Sequence, residues 1–353
     1  MKNISLEELL QAGCHFGHQV TRQNPKARDF IFEARDNIHI IDLEKTKECL
    51  TEAAKFIKET AKNGGSLLIL GTKRQAQPIL EEQIAKLKEE AAGDVYWVKR
   101  RWIGGILTNL SEVSKNFRKL EDLGKRLKDE FEREKYTKRE IGEWEKDRQK
   151  LEGFYGGIVS MRKAPDAIFI IDTHLEDLAV REATAMGVKI VGITDTNSDP
   201  TFIDYPIPAN DDAVGSLKLI IEYIMDAWRE GKKRQGELKE EALKAEEKLK
   251  AEEGIKVIKV NVMVAEKLKD MFSSFVEVEL KIPDLGKLNY FCFHYLPSSV
   301  EVLDTEEVSS SGREFTNYLN DILATVHEYN LIIANLTAEN KAMKEKLESF
   351  AQF

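Results

Sequence analysis

The sequence holds only three cysteines in 353 residues, and Cys14, Cys49 and Cys292 stand far apart. An odd, scattered set fits a reducing compartment and offers no metal-knuckle spacing. No apolar run reaches the roughly 18 residues of a membrane span. The opening Met1-Lys2-Asn3-Ile4 carries no apolar stretch resembling a secretory signal. These absences point to the cytoplasm. Catalytic signatures are missing as well. There is no Gly-x-Ser-x-Gly elbow, and no cysteine has an obvious histidine partner. Positive charge is in deficit, with 53 Lys+Arg against 62 Asp+Glu and a formal charge of −9. That balance argues against non-specific nucleic-acid binding by the whole surface, so any contact with RNA falls to local basic patches. No internal repeat is present.

What is there is an alternation of short apolar runs and amphipathic stretches from residue 38 to 230. The block from Pro165 to Asn210 shows it best. Ala167–Ile171 is a nearly unbroken apolar run ending at Asp172. Thr173–Met186 has helical spacing and stops at Gly187. Val188–Ile193 is a second run, closed by Thr194-Asp195-Thr196-Asn197-Ser198-Asp199-Pro200, and Tyr205–Ala209 is a third. Strands apolar on both faces belong in a parallel sheet covered by helices. The expected fold class is therefore α/β, a doubly wound parallel sheet. Polar residues at strand ends (Asp172, Asp195, Asn210-Asp211) then gather at the carboxyl edge, where such sheets bind ligands.

Earlier, Ser5 and Glu8 form a capping box, and Phe30–Phe32 and Ile38–Ile41 read as short strands. Ser66–Leu70 and Val95–Val98 read as strands of the main sheet. Gly71-Thr72-Lys73-Arg74 follows the first of these and is expected to open a helix, which favours an anion. It lacks the complete Gly-x-x-x-x-Gly-Lys-Ser/Thr phosphate loop. From Leu110 to Tyr155 the chain is mostly charged, with one apolar stripe at Val113, Phe117, Leu120, Leu123 and Leu127. Thr137 and Glu140 restart a helix by a capping box. Two helices joined near Lys135 make an inserted antiparallel hairpin.

Cations cluster on loops: Arg22, Lys26, Arg28, Arg35, Lys73, Arg74, Lys99, Arg100, Arg101, Arg162 and Lys163. With Trp102 as a flat stacking face, these are the candidate RNA-binding residues. Trp102 also has a bland reading, tucked into the core. His15, His18, Asp195, Asp199, Asp204 and Asp211 are of types that hold zinc, though no spacing demands it, so His15, His18, Asp195 and Asp204 stay weak metal candidates. Asp172 and Asp195 read as caps of the following segments rather than as an acid/base pair.

Several blocks carry a resemblance. They are Gln11-Ala12-Gly13-Cys14-His15-Phe16-Gly17-His18-Gln19 with Asn24-Pro25-Lys26, Ile38–Thr46, Gly71–Arg74, Arg101-Trp102-Ile103-Gly104-Gly105-Ile106-Leu107-Thr108-Asn109, Asp195–Pro200 and Asn210-Asp211-Asp212. In this order they resemble the bacterial ribosomal protein S-two family. The resemblance implies a flavodoxin-like sheet with an inserted helical hairpin and no cofactor. It implies a structural, non-enzymatic role in the small ribosomal subunit, in contact with its rRNA and neighbouring ribosomal proteins. In many bacteria the family also helps dock the messenger-binding protein S-one. The rival reading is a flavodoxin-like enzyme holding a nucleotide or flavin at residues 71–74 and 194–199.

The resemblance ends near residue 240. The expected division is 1–231 for the α/β domain with the hairpin at 110–155, 232–262 for a charged helical linker, and 263–353 for an added module. In that module Val276–Ile282 alternates as a strand, Leu288–Leu296 reads as a second strand rich in aromatics, and Val300–Leu303 as a third. Ser311 and Glu314 then open a long helix. Its apolar residues Leu319, Ile322, Val326, Tyr329, Ile333 and Leu336, then Met343 and Leu347, recur in steps of three and four, with Asn340 filling the slot between Leu336 and Met343. The pattern reads as a coiled-coil interface, suited to a second copy or to another helical protein, against a bland reading as a single helix folded onto its own strands.

Overall fold

The computed structural model describes residues 4–89 and 94–251, then 256–262, 266–268, 271–273, 276–281, 285–295, 299–301 and scattered positions from 316 to 329. Contacts divide the chain into two units, Met1–Leu238 and Lys239–Phe353.

The first unit is built on five parallel strands: β4 (Leu67–Leu70), β5 (Val95–Val98), β6 (Ala167–Ile170), β7 (Lys189–Thr194) and β8 (Tyr205–Pro208). Their order is β5-β4-β6-β7-β8, the flavodoxin-like doubly wound arrangement. Side chains alternate across a strand, and here both faces are buried. Leu67, Ile69, Phe169 and Ile207 join Leu50, Ile57, Leu80, Ile221 and Trp228 on one side. Leu68, Leu70, Ile168 and Ile170 join Trp102, Phe117, Ile158 and Val180 on the other. The first side is covered by α2 (Leu43–Lys62), α3 (Gln77–Glu89) and α8 (Val214–Ala251), and the second by α7 (Asp177–Met186) and the root of α4 (Leu110–Lys128). Gly187 ends α7 at φ 70°, a left-handed cap that a glycine takes without strain.

Ahead of this sheet, α1 (Leu6–Gln11) opens with the expected capping box at Ser5 and Glu8. A small antiparallel sheet follows, ordered β1 (Phe16–Gln19), β3 (Ile38–Ile41), β2 (Ile31–Arg35). Its β1 falls in a stretch for which the sequence suggested no strand. The β2–β3 turn places Asp36 and Asn37 at φ 51° and 62°, the primed-turn geometry that suits short Asx side chains.

The inserted hairpin pairs α4 with α6 (Lys138–Tyr155), and a five-residue α5 (Glu130–Glu134) forms the turn. Val113, Phe117, Leu120 and Leu123 are buried along α4. Thr137 and Glu140 make the expected capping box. Further out, Tyr136 and Trp144 meet edge-to-face at 4.5 Å, and Lys119 reaches Asp147 across the hairpin at 3.2 Å. Among the described residues, no helix is long and apolar enough to cross a membrane.

In the second unit, β9 (Lys256–Val262) pairs antiparallel with β12 (Val276–Lys281), and β10 (Glu266–Leu268) with β11 (Met271–Ser273). The strand β9 therefore falls within the stretch read from sequence as a helical linker. Its apolar residues Val257, Ile258, Val260 and Val262 are interrupted by Lys256, Lys259 and Asn261, which hid them beside the charged run. The expected strand over Leu288–Leu296 is corrected: residues Leu285–Tyr295 form a helix, α9. Aromatic content suggested a strand, but Leu288, Phe291, Cys292 and Tyr295 have helical spacing, and that periodicity prevails. Tyr290 and His294, one turn apart, stack at 5.1 Å. Val300 and Glu301 show no strand. The described residues between Thr316 and Tyr329 are helical, as expected. Ser311, Glu314 and the seam residues Ile333, Leu336, Asn340, Met343 and Leu347 lie outside the described residues.

Candidate functional site

The carboxyl ends of β4, β6, β7 and β8 converge on a knot of charge. Lys73 Nζ lies 2.9 Å from Asp172 Oδ2, 2.7 Å from Asp211 Oδ1 and 2.8 Å from Asp212 Oδ1, and donates to the Asp211 carbonyl at 3.0 Å. Burial pulls the Lys73 pKa down, but Asp211, Asp212 and Asp172 outweigh it, so the ammonium is held well above its ordinary range. Asp211 is fully buried. Burial first, and then the charges of Asp172 and Asp195, push it up to about 7 against the pull of Lys73. Thr72 donates to Glu176, whose carboxyl burial also raises. Asp172 caps the next segment by accepting from Leu175 N at 2.8 Å, and Asp195 accepts from the Thr196 amide.

His18 arrives from β1. Its backbone N–H donates to Thr196 Oγ1 at 2.9 Å. The approach is close: a Cβ on Gly17 would meet Thr196 Cγ2 at 2.6 Å, so only glycine lets the strand in. His18 Nδ1 sits 3.1 Å from Asp195 Oδ2 and Nε2 3.6 Å from Asp212 Oδ2. Contact with Asp195 raises the imidazole pKa, against burial. Yet His18 Nδ1 and both Asp211 carboxylate oxygens are buried without a well-directed hydrogen bond. Donor atoms of His18, Asp195 and Asp211 all lie within 4.8 Å of one another. One imidazole and two carboxylates form a donor set suited to a divalent ion such as zinc.

Of the weak metal candidates, His18 and Asp195 are thus brought together with Asp211. His15 instead packs on Phe16 with ring centroids 3.9 Å apart. Asp204 is at the opposite, amino edge of the sheet, bonded to Lys189 Nζ at 2.6 Å and to Ile190 N at 3.0 Å. Asp199 is bonded to Lys26 at 2.9 Å.

The candidate cations divide in the same way. Two expectations are corrected. Lys73 is occupied by carboxylates and is not presented to phosphate. Trp102 is 5% exposed and donates its indole N–H to Glu182 Oε1 at 3.2 Å, so it offers no stacking face. Lys99 is bonded to Glu81 at 2.8 Å, and Lys26 to Asp199. Arg100 lies across α6: a Cβ on Gly153 would come within 2.8 Å of its guanidinium. Arg162 donates to the Val159 carbonyl and approaches Glu121 at 3.9 Å. With Lys163 it precedes β6, at the amino edge. Among the described residues, Arg22, Arg28, Arg35, Arg74 and Arg101 are exposed and have no carboxylate partner. Arg74 and Arg101 follow β4 and β5 at the carboxyl edge. Asn24 N bonds the Thr196 carbonyl at 2.9 Å, bringing the Arg22–Arg28 loop to the same edge. The nucleotide-pocket alternative at 71–74 loses its two ingredients, because Lys73 is engaged and α3 starts only at Gln77.

One organising residue escaped the sequence reading. Glu182, buried on α7, accepts from Trp102 Nε1, from the backbone N–H of Gly105 (2.8 Å), Leu107 (3.1 Å) and Thr108 (3.3 Å), and from the Thr108 hydroxyl (3.2 Å). It anchors the loop that carries Arg101. The signal was a glutamate on the apolar stripe of α7, between Ala179 and Met186.

The flavodoxin-like sheet, its helical arm and its arginine-bearing loops define an α/β scaffold protein. The family described as "Ribosomal protein S2" matches residues 9–231. Two relatives named "Small ribosomal subunit protein uS2" are similar, from Roseiflexus castenholzii (strain DSM 13941 / HLO8) and Roseiflexus sp. (strain RS-1). Each is 46% identical over 239 residues, covering 67% of this chain and 88% of the relative. The chain belongs to the ribosomal protein S2 family. It has a structural role in the small ribosomal subunit, in translation and in the cytoplasm. Residues 229–350 match a second family, described as "MJ0538 family".

Proposed function

We propose that the loop arginines at the carboxyl edge bind small-subunit rRNA through its phosphates, with Arg74 and Arg101 as principal contacts. The observation that carries this is their state. In an acidic chain whose other loop cations are largely spent on carboxylates, these guanidinium groups face solvent unpaired on anchored loops. Arginine forks match phosphate oxygens, and ordering them in advance lowers the entropic cost of binding. The hairpin braces rRNA and neighbouring ribosomal proteins through its charged outer faces. Family membership supports contact with protein S-one. The module beyond residue 238 is an interaction module.

The test is Arg74→Glu with Arg101→Glu in the full chain. The pair is expected to abolish co-sedimentation with small subunits while shifting the unfolding midpoint little, since exposed charge changes cost within about 0.5 kcal/mol. Full incorporation of the doubly reversed protein would refute the assignment.

The scaffold also binds a divalent cation at His18, Asp195 and Asp211, supported by the undirected donor atoms there. Chelator-treated protein titrated with zinc chloride is expected to gain thermal stability, about 2.7 kcal/mol at a hundredfold excess over Kd. His18→Ala is expected to remove that gain. A zinc response unchanged in His18→Ala would rule the site out.

A further inference from the structure

A cleft of about 440 Å³ opens at the root of the helical arm, lined by none of the residues of the carboxyl-edge site. Leu110, Ser114, Phe117 and Glu121 follow one another along α4 in steps of four, three and four, so they share one side of the helix. Met161 and Arg162, beyond the arm, complete the cleft. Phe117 and Met161 are each 1% exposed and make an apolar floor, with half-buried Leu110 beside them. The polar groups above that floor are each in a definite state. Arg118 is exposed and has no carboxylate partner among the described residues. Arg162 is held from behind, because its Nη1 donates to the Val159 carbonyl at 3.1 Å. Glu121 Oε1 stands 3.9 Å from Arg162 Nη2, too far for a hydrogen bond. Ser114 donates its hydroxyl proton to the Ser111 carbonyl at 2.8 Å, so only oxygen lone pairs remain for a ligand.

We infer that this cleft takes one unpaired nucleotide of the small-subunit rRNA, with a base that carries an exocyclic amino group. The inference rests on the rRNA reading above but on different residues. Its chemistry follows from the lining. The two guanidinium forks of Arg118 and Arg162 call for anionic oxygens, which a phosphate supplies. The Ser114 oxygen and the Glu121 carboxylate can only accept, so the same ligand must bring N–H donors. The floor of Phe117, Met161 and Leu110 calls for an apolar face, which a base supplies. An acidic side chain would answer the arginines but set its carboxylate beside Glu121 and offer Ser114 no donor. Inorganic phosphate would leave the floor uncovered. A nucleotide meets all three demands, and the cleft has the size of small-ligand sites. The base must be unpaired, since sequence-selective recognition of RNA takes bases splayed out of loops and bulges. Cytosine presents its N4 amino donor where uracil, like thymine, presents the O4 acceptor, so Glu121 and Ser114 tell the two apart. Arg162 and Ser114 are fixed in advance by Val159 and Ser111, which lowers the cost of ordering them on binding. The arm thus gains a base-selective foot, separate from the phosphate contacts of Arg74 and Arg101.

The test is fluorescence anisotropy of the full chain with labelled pentacytidylate and pentauridylate at low salt. Pentacytidylate is expected to bind about tenfold more tightly. Glu121→Gln keeps the shape of the side chain but adds an NH2 donor for uracil O4, so the preference is expected to fall to about twofold or less. Ser114→Phe, which fills the cleft, is expected to remove the preference as well, and Arg118→Ala to weaken both RNAs. Arg74→Glu with Arg101→Glu is the control. It is expected to weaken both RNAs alike and leave their ratio unchanged, so failure of the cleft and failure of the carboxyl-edge contacts are read separately. Equal affinity of the wild-type chain for the two RNAs overturns the inference. So does a preference that persists in Glu121→Gln or in Ser114→Phe. Displacement of pentacytidylate by hexaglutamate as readily as by unlabelled pentacytidylate would assign the cleft to an acidic protein. Displacement as readily by cytidine monophosphate would assign it to free nucleotides. Either result also overturns the inference.

Discussion

Glu182→Ala is expected to lower the stability of the α/β unit by about 3–5 kcal/mol, since several hydrogen bonds to a charged acceptor, worth roughly 1.5–3 kcal/mol each, are lost and only partly replaced by relaxation. The carboxylate accepts five hydrogen bonds, three of them from backbone N–H groups between Gly105 and Thr108. Those donors have no second partner in the loop, and each orphaned buried donor costs roughly 1–3 kcal/mol before relaxation. Set against a total of about 5–15 kcal/mol for a domain, the loss is large. Glu182→Gln should be milder. It keeps one carbonyl oxygen for Trp102 and Gly105 but turns an NH2 group toward the Leu107 and Thr108 amides. Urea midpoints followed by tryptophan fluorescence would show both effects, since opening the loop wets the Trp102 indole. A Glu182→Ala protein within about 1 kcal/mol of wild type would show that the loop is held by other means.

The second large effect is expected at Lys73. Replacing it with methionine keeps much of the stem volume and removes the only cation in direct contact with Asp172 and Asp211 among the described residues. The expected loss is again about 3–5 kcal/mol at pH 8, and it should depend on pH. Asp211 in the folded chain is pushed up to about 7, against roughly 3.9 for a free carboxyl. Between these values the folded chain holds a proton that the unfolded chain has released. That contribution to stability is complete below about pH 4 and is lost as pH rises through about 7. His18, raised as well, acts in the same direction around neutral pH. Lys73 itself keeps its proton throughout this window. Removing Lys73 lifts the brake on Asp211, so the variant gains more from its proton than the wild type does. In chelator-treated protein, the gap between variant and wild type is expected to be smaller at pH 5 than at pH 8. A gap that widens on acidification would contradict this account of the knot.

The parts legible in the sequence were those written locally. Ala167–Ile170 and Lys189–Thr194 are apolar at every or nearly every position, and only a doubly covered parallel sheet buries such strands. The capping boxes at Ser5 and Thr137 announced α1 and α6 because cap and partner are three residues apart. Partnerships across more than a hundred residues left no such trace. Lys73 and Arg74 are neighbours of like charge, yet one is sunk among Asp172, Asp211 and Asp212 and the other faces water. Which of them turns inward is decided by where β6 and β8 end. Trp102 showed the same ambiguity until the position of Glu182 settled it. Helix α9 misled because aromatic residues favour strands on average, while their spacing here fits a helix.

The inserted hairpin has a consequence for synthesis. Strand β4 sits between β5 and β6, but β5 ends at Val98 and β6 begins at Ala167. At about 5–20 residues per second, the edge of β4 that belongs to β6 stays open for several seconds on the nascent chain. An open edge of a Leu-Leu-Ile-Leu strand is a template for wrong pairing. Helix pairing is local and fast by comparison, on the order of microseconds for its elementary steps. Once α4 and α6 close on each other, Asn116 and Tyr155 meet at 3.2 Å, and the arm behaves as a short connection rather than a long one. Its length is then kinetically inexpensive, and β6 is delivered beside the strand that waits for it.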